Sequence, residues 1–194
     1  DFDGDGDYDL ALSGRSGHTG SFSRIYENVE GSFMERDVGL VDVLDGSLVW
    51  GDFDGDGDLD LLLTGWSASS DESLAAIYRN DTGVFVDIDA GLTPVHRSDA
   101  AWGDFDQDGD LDLLVSGLSA AGPHTEIYRN DDGDFVAIDA DLVAVKQSLV
   151  DWVDVDLDGD LDVFVSGTQE SPESSRVAVI YRNEDGSFVA TSQY

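Results

Sequence analysis

The chain has 194 residues, of which 41% are hydrophobic, so it can bury a core and its acidity does not by itself indicate disorder. Its net charge of −34 excludes the basic surface that nucleic acids and anionic membranes require, and it makes cations the natural small partners. The absence of cysteine excludes disulfides and cysteine-based zinc sites, and no apolar run approaches the roughly 18 residues of a membrane span.

The chain opens on an Asp-rich segment that returns three more times, at intervals of 51, 52 and 50 residues. A tryptophan stands two residues before each later copy, Ile-Tyr follows every copy, and a phenylalanine follows each downstream glycine turn. A whole structural unit is therefore repeated four times. We call the Asp-rich segments loops 1 to 4: Asp1–Asp9, Asp52–Asp60, Asp104–Asp112 and Asp154–Asp162.

Each unit predicts four short strands, A to D in chain order. In the second unit these are residues 47–51, 59–65, about 76–80 and about 84–88. An Asn-x-x-Gly segment such as Asn80–Gly83 predicts a tight hairpin turn between strands C and D, where glycine can adopt a positive φ. No stretch shows a sustained helical period with caps. Four antiparallel strands in about 50 residues predict the blade of a β-propeller.

The expected fold is therefore an all-β propeller segment of four blades with a period of about 51 residues. The first unit starts at its A–B loop, so blade 1 is expected to lack its inner strand, which leaves fifteen strands. The predicted blades are residues 1–43, 44–94, 95–145 and 146–194, within a single propeller region 1–194. We expect a run of blades from a larger propeller; a self-closed four-bladed ring is the alternative.

Aspartate occupies positions 1, 3, 5, 7 and 9 of every loop, which accounts for twenty of the 43 acidic residues. Positions 1, 3 and 5 place carboxylates around one point, glycine at position 6 allows a sharp turn, position 7 offers its carbonyl, and position 9 closes the site. An oxygen-only, flexible ligand set suits Ca²⁺ better than Mg²⁺ or Zn²⁺. The candidate metal ligands are Asp1, Asp3, Asp5, Asp7, Asp9, Asp52, Asp54, Asp56, Asp58, Asp60, Asp104, Asp106, Asp108, Asp110, Asp112, Asp154, Asp156, Asp158, Asp160 and Asp162.

Other interpretations of these loops agree less well with the residues. An EF-hand needs glutamate at position 12 and flanking helices, but position 12 is leucine or valine and the flanks are strand-like. A solvated acidic face does not require strict spacing with a glycine in register. A kelch blade has a similar period, but no Gly-Gly pair occurs in the chain.

The loops, the preceding Trp50-Gly51 and the following Ile77-Tyr78-Arg79-Asn80 resemble FG-GAP/VCBS repeats, which form integrin-α-like propellers and parts of many large secreted bacterial proteins. The resemblance implies that each A–B hairpin binds Ca²⁺ through side chains at positions 1, 3, 5 and 9 and the carbonyl of position 7. Up to four ions are then expected, one per loop. The ring of this family usually has seven blades, whereas this chain has four, one of them incomplete.

Strand direction predicts that a partner binds on the face opposite loops 1 to 4. In an up-and-down blade, the A–B and C–D connections share one face and the B–C connections lie on the other. The B–C segments, residues 15–21, 66–74, 118–125 and 168–176, differ between copies, so we expect them to contact an unidentified protein or glycan. Trp66 is the one tryptophan outside the repeat pattern, and local packing is its expected role. The arginine that follows Ile-Tyr in units 2 to 4 (Arg79, Arg129 and Arg182) is expected to pair with an acidic neighbour, and unit 1 has Glu27 at this position.

These features favour a calcium-binding scaffold for adhesion or protein interaction. The alternatives are a lectin-like carbohydrate-binding propeller and a non-catalytic accessory part of a larger secreted enzyme. No nucleophile elbow, histidine zinc motif or phosphate loop occurs, so we expect no catalytic activity and no cofactor besides Ca²⁺. Nucleic-acid binding and membrane insertion are not expected, whereas self-association or further blades could complete the ring.

Calcium affinity and cysteine usage indicate the compartment. Extracellular calcium modules bind at about 10⁻⁴–10⁻³ M, so the loops favour an extracellular or cell-surface location. The absence of cysteine favours a bacterial over an animal ectodomain.

Overall fold

The computed structural model describes residues 1–18, 20–170 and 175–193, which contain fifteen β-strands and no helix. No described segment forms a helix long and apolar enough to cross a membrane. The first eight strands are Leu10–Ser16 (β1), Gly20–Val29 (β2), Ser32–Arg36 (β3), Leu48–Gly51 (β4), Asp60–Ser67 (β5), Glu72–Asp81 (β6), Val84–Asp87 (β7) and His96–Gly103 (β8). The others are Asp112–Ser119 (β9), Gly122–Asp131 (β10), Asp134–Ile138 (β11), Lys146–Val153 (β12), Asp162–Thr168 (β13), Arg176–Glu184 (β14) and Ser187–Gln193 (β15).

The strands form four antiparallel sheets in which neighbours in sequence are neighbours in space. β1–β3 form blade 1, and the groups β4–β7, β8–β11 and β12–β15 form blades 2 to 4. Blade 1 has three strands and the others have four, so the expected all-β propeller segment, with a first blade that lacks its inner strand, is confirmed. The blade boundaries and the single region remain predictions.

The B–C hairpins are longer than expected and their connections are correspondingly shorter. In blade 2 the β5–β6 pairing continues to Ser67 and Glu72, which leaves only residues 68–71 between the strands. Leu74, predicted in the connection, packs against the core of its unit, and this burial explains the extension. In blades 1 to 3 more than half of each variable segment therefore belongs to strand ends, whereas in blade 4 only Thr168 and Arg176 do. Thr19 and residues 171–174, which fall in two of these segments, lie outside the described residues.

The chain divides into two compact units, Asp1–His96 with blades 1 and 2 and Arg97–Tyr194 with blades 3 and 4. Ile25, Leu61 and Tyr78 belong to the core of the first unit, and Leu114, Ile127 and Val163 belong to that of the second. Leu61, Leu62 and Leu63 are each 0% exposed although successive residues point to opposite faces of a strand. Both faces of the sheet are thus covered at β5, which explains the unbroken apolar run in the sequence.

Aromatic stacking connects the two blades of each unit. Phe2, at position 2 of loop 1, stacks on Trp50 of blade 2 with ring centroids 6.1 Å apart and planes 6° apart, and its centroid lies 5.8 Å from that of Phe85. The second unit repeats the arrangement: Phe105 stacks on Trp152 at 5.8 Å and lies 5.6 Å from Phe188. An Asp-rich loop of one blade is therefore held by the core of the next.

Candidate metal centre

Two backbone hydrogen bonds to carboxylates close every loop. The position 9 aspartate accepts a bond from the backbone N–H of position 2: Asp9 from Phe2 at 2.8 Å, Asp60 from Phe53 at 3.0 Å, Asp112 from Phe105 at 2.9 Å and Asp162 from Val155 at 2.8 Å. The position 1 aspartate accepts from the position 6 glycine: Asp1 from Gly6 at 3.0 Å, Asp52 from Gly57 at 3.1 Å, Asp104 from Gly109 at 3.1 Å and Asp154 from Gly159 at 3.2 Å. The aspartates thus shape the loop in addition to supplying ligand oxygens.

The position 6 glycine is required by its backbone conformation. Gly57 and Gly109 have φ of 95° and 102°, beyond the small left-handed region open to other residues, and no atom lies within 4 Å of a Cβ built on them. Position 4 is less demanding. Gln107 and Leu157 occupy it in loops 3 and 4 with φ of 60° and 63°, inside the left-handed region.

Carboxylate oxygens from three aspartates lie within 4.8 Å of one another in every loop. The clusters are Asp1, Asp3 and Asp5 in loop 1, Asp52, Asp54 and Asp60 in loop 2, Asp104, Asp106 and Asp108 in loop 3, and Asp154, Asp156 and Asp162 in loop 4. They draw only on positions 1, 3, 5 and 9, the side-chain positions that the FG-GAP resemblance implies. Such a group of oxygens could hold a metal ion; the assignment of individual ligands remains a prediction.

The position 7 side chains lie outside these clusters. In blades 1 to 3 they accept hydrogen bonds from the C–D turn: Asp7 from the N–H of Glu30 at 3.0 Å, Asp58 from Thr82 at 2.8 Å and Asp110 from Asp132 at 3.2 Å. Asp160 accepts instead from the side-chain amide of Gln107, at 2.7 Å. Because the carboxylate is engaged elsewhere, the carbonyl is the group that position 7 can offer to an ion, and its role as a ligand remains a prediction.

The other four predicted ligands also lie outside the clusters and make backbone bonds. Asp56 and Asp158 accept from the N–H of position 7 in their own loops, at 2.8 and 3.0 Å. Asp9 and Asp112 each bind two N–H groups, the position 2 bond and a bond from strand C, from Asn28 at 2.8 Å and Asn130 at 2.9 Å. Asp9 and Asp112 therefore hold their loops onto strand C of the same blade, whereas Asp56 and Asp158 shape the turn of their own loops.

The electrostatics of the loops favour a bound cation. Burial raises the pKa of Asp60 to about 6 and that of Asp112 to about 7, although backbone N–H groups oppose the shift. Burial, followed by the charge of the next aspartate in the loop, also raises the pKa of Asp54 and Asp106. A positive ion would stabilise the ionised form of each of these carboxylates.

Two oxygen atoms test separately whether the loops suit a metal ion. The Oδ1 atoms of Asp1 and Asp52 are buried and have no hydrogen-bond partner. A buried acceptor left unsatisfied costs about 1–3 kcal/mol, and more when it is charged. Both atoms belong to cluster residues, so an ion bound there would satisfy them. An oxygen-only donor set with unpaired charged oxygens fits a hard divalent cation.

An asparagine that sequence reasoning assigned only to a hairpin turn fixes the loop of the preceding blade. The side-chain amide of Asn80 donates to the carbonyl of Phe2 at 2.7 Å and to that of Leu59 at 3.1 Å. Asn183 repeats the inter-blade bond, to Phe105 at 3.0 Å. The asparagine recurs two residues after every Ile-Tyr, and this recurrence could have indicated a role beyond the turn, because turn formation alone does not require one residue type.

The expected arginine pairs are confirmed. Arg79 and Asp81 lie 3.0 Å apart, Arg129 and Asp131 2.7 Å, and Arg182 and Glu184 2.8 Å. In blade 1 the corresponding residue is Glu27, which pairs with Arg36. The arginine pairs are largely exposed and screened by solvent, so each contributes little to stability.

Repeated antiparallel blades with a carboxylate cluster in each A–B loop define a propeller-type repeat scaffold. The profile of the FG-GAP-like repeat matches residues 1–63 and 52–115, and the chain therefore belongs to the FG-GAP-like repeat family. Such repeats form propeller scaffolds for protein interaction that are typically non-catalytic and typically extracellular. No curated protein matches the chain significantly.

Proposed function

We propose that the chain is a calcium-stabilised propeller scaffold that acts outside the cell in adhesion or protein–protein interaction. Family membership supports the scaffold role. The observation that carries the calcium assignment is the cluster of carboxylate oxygens within 4.8 Å in all four loops. Position 1, 3, 5 and 9 carboxylates and the position 7 carbonyl would hold each ion, whose charge offsets the repulsion within the loop.

The role of calcium follows from mass action. An ion that binds only the folded loop stabilises it by RT ln(1 + [L]/Kd), which is about 1.4 kcal/mol per site at tenfold excess over Kd. Tenfold excess corresponds to about 1 mM calcium and a Kd of about 10⁻⁴ M, the range of extracellular modules. Four ions would also bring eight positive charges to a chain of net charge −34.

The ion would act on the contact between blades as well as on its own loop. In loop 1, Phe2 lies between ligand positions Asp1 and Asp3, and its ring is stacked on Trp50 of the next blade. Its carbonyl also accepts the hydrogen bond from Asn80. Fixing positions 1 and 3 therefore fixes the aromatic ring that joins the two blades.

The recognition surface is proposed on the B–C side, with a protein as ligand. Trp66, the one tryptophan outside the repeat pattern, packs edge-on against His96 with ring centroids 5.0 Å apart. This contact supports a packing role for Trp66. The loop aspartates are accounted for by loop closure and metal ligation, which supports a non-catalytic protein.

Calcium titration by calorimetry, paired with thermal unfolding, tests the proposal. We expect up to four ions per chain, half-saturation at about 10⁻⁴–10⁻³ M and a lower melting temperature in chelator. Asp106→Asn should remove about one ion. Asp134→Asn, the same charge change at an exposed position of β11, is the matched control and should remove none. A melting temperature unchanged by chelation would refute the calcium role, and sub-micromolar affinity would contradict the extracellular setting.

A further inference from the structure

The side chain of Gln107 joins loop 3 to loop 4, and both loops lie in the unit Arg97–Tyr194. Gln107 stands at position 4 of loop 3. Its Nε2 atom donates to Gly159 O at 3.0 Å and to Asp160 Oδ1 at 2.7 Å, and these residues are positions 6 and 7 of loop 4. One neutral side chain therefore bridges two acidic loops.

The bridge is specific to this pair of loops. The position 7 carboxylates of loops 1 to 3 accept hydrogen bonds from the C–D turn of their own blade, whereas that of Asp160 accepts from the neighbouring loop. The residues at position 4 of the other loops have no hydrogen-bond donor in their side chains: Gly4, Gly55 and Leu157.

In loop 3 the bridge starts between two cluster residues. Asp106 and Asp108, the neighbours of Gln107 in sequence, both belong to the carboxylate cluster of this loop. An ion held by these two carboxylates would fix the backbone on both sides of Gln107. The hydrogen bonds of Gln107 require its long side chain to give up conformational freedom, and a backbone that is already fixed lowers that cost.

In loop 4 the bridge ends on the turn that positions the ligand groups. The N–H of Gly159 donates to Oδ2 of Asp154, a cluster residue, at 3.2 Å. The N–H of Asp160 donates to Asp158 at 3.0 Å, and the carbonyl of Asp160 is the proposed position 7 ligand. By holding Gly159 O and the Asp160 carboxylate, Gln107 fixes the peptide group between these two positions.

We propose that Gln107 couples the calcium sites of loops 3 and 4, so that an ion in either loop raises the affinity of the other. This inference rests on the proposed function, because it requires that these loops bind calcium. Order in one loop lowers the entropy that the second ion must remove, and linkage makes the effect reciprocal. Couplings typically change affinity 5–150-fold, and both bonds of Gln107 are exposed, so we expect about fivefold.

Nitrogen-15 NMR during a calcium titration reads each loop separately. The N–H groups of Gly109 and Gly159 are bonded to the position 1 aspartates of loops 3 and 4, so their signals report the ion in each loop. Asp106→Asn removes the ion of loop 3 and should weaken calcium binding at Gly159. The same change in a Gln107→Asn chain, whose amide is one methylene shorter, should have an effect about fivefold smaller.

The double comparison isolates the bridge, because repulsion between the two ions is the same in both backgrounds. Asparagine also tolerates the left-handed conformation of Gln107, whose φ is 60°. Gln147→Asn is the matched control: it is the same change at an exposed glutamine of β12 with φ of 50°, outside the loops. In this variant Asp106→Asn should weaken binding at Gly159 as it does in the parent chain.

Two failures are distinguishable. If calcium shifts the signals of both glycines but Asp106→Asn acts equally with and without Gln107, the sites are independent and the coupling is overturned, whereas the calcium scaffold stands. A loss of coupling in Gln147→Asn as well would also overturn the role of Gln107. If calcium shifts neither Gly109 nor Gly159, the proposed function fails for these loops, and the coupling fails with it.

Discussion

Replacing Asn80 with alanine isolates the hydrogen bond that holds blade 2 to loop 1. The Asn80 amide donates to Phe2 O at 2.7 Å and to Leu59 O at 3.1 Å, and its Oδ1 accepts from Gly83 N at 2.7 Å. Asn80 is 0% exposed, and the alanine variant removes the donor from the buried bond to Phe2 O and from the part-buried bond to Leu59 O. Each such group costs about 1–3 kcal/mol, so we expect Asn80→Ala to lower the free energy of unfolding by about 3–4 kcal/mol.

Asn28→Ala is the matched control, because Asn28 holds the same place in blade 1. Its amide donates to Tyr8 O at 3.1 Å and its Oδ1 accepts from Gly31 N at 2.9 Å, the equivalents of the Leu59 and Gly83 bonds. Both bonds are exposed. We expect Asn28→Ala to cost about 1 kcal/mol.

The difference between the two variants measures the inter-blade bond together with the burial of its partner. Urea denaturation with saturating calcium, followed by circular dichroism, gives both free energies. A difference of about 2 kcal/mol corresponds to a separation of melting temperatures of roughly 4–8 °C for a chain of this size. Equal destabilisation by the two variants would show that the bond to Phe2 contributes nothing measurable and would refute the reasoning.

Three further predictions concern other parts of the loops. Phe105→Ala should lower the free energy of unfolding by about 3–5 kcal/mol, because this ring is 4% exposed. Val155→Ala, at the same loop position but 40% exposed, should lower it by less than about 1 kcal/mol, and the midpoints of urea denaturation compare the two variants. Gly57→Ala (φ 95°) should lower the melting temperature more than Gly55→Ala (φ 68°), because the strain is conformational; equal shifts would contradict that cause. In chelator, the free energy of unfolding should rise as pH falls from about 7 towards 4, because the pKa of Asp112 is raised to about 7 and the folded chain then binds more protons than the unfolded chain. In saturating calcium this pH dependence should reverse. Melting curves at several pH values, with chelator and with calcium, test both signs.

Much of the local structure could be predicted because each repeat carries its own signals. Alternating aspartates with glycine at position 6 predicted the loop, and Gly57 indeed has a φ that other residues rarely adopt. The apolar run after each loop predicted strand B, and Asn-x-x-Gly predicted the C–D turn. These properties depend on residues within about ten positions of one another, so they can be read from one segment of chain.

The extent of the hairpins and the role of Asn80 could not be predicted in this way. β6 begins at Glu72, earlier than its local pattern indicates, because Leu74 is covered by the core of its unit. The bond from Asn80 to Phe2 joins residues 78 positions apart, and no local propensity reports such a contact.

The sequence by itself determined the repeat, the antiparallel strands and the carboxylate-rich loops, because period, turn residues and charge are properties of the chain. Only the tertiary structure decided which aspartates come within reach of one ion and which, like Asp58, bind the C–D turn instead. The physical reason is that burial and ligand geometry depend on which strand lies alongside, and identical local sequences cannot specify their neighbours.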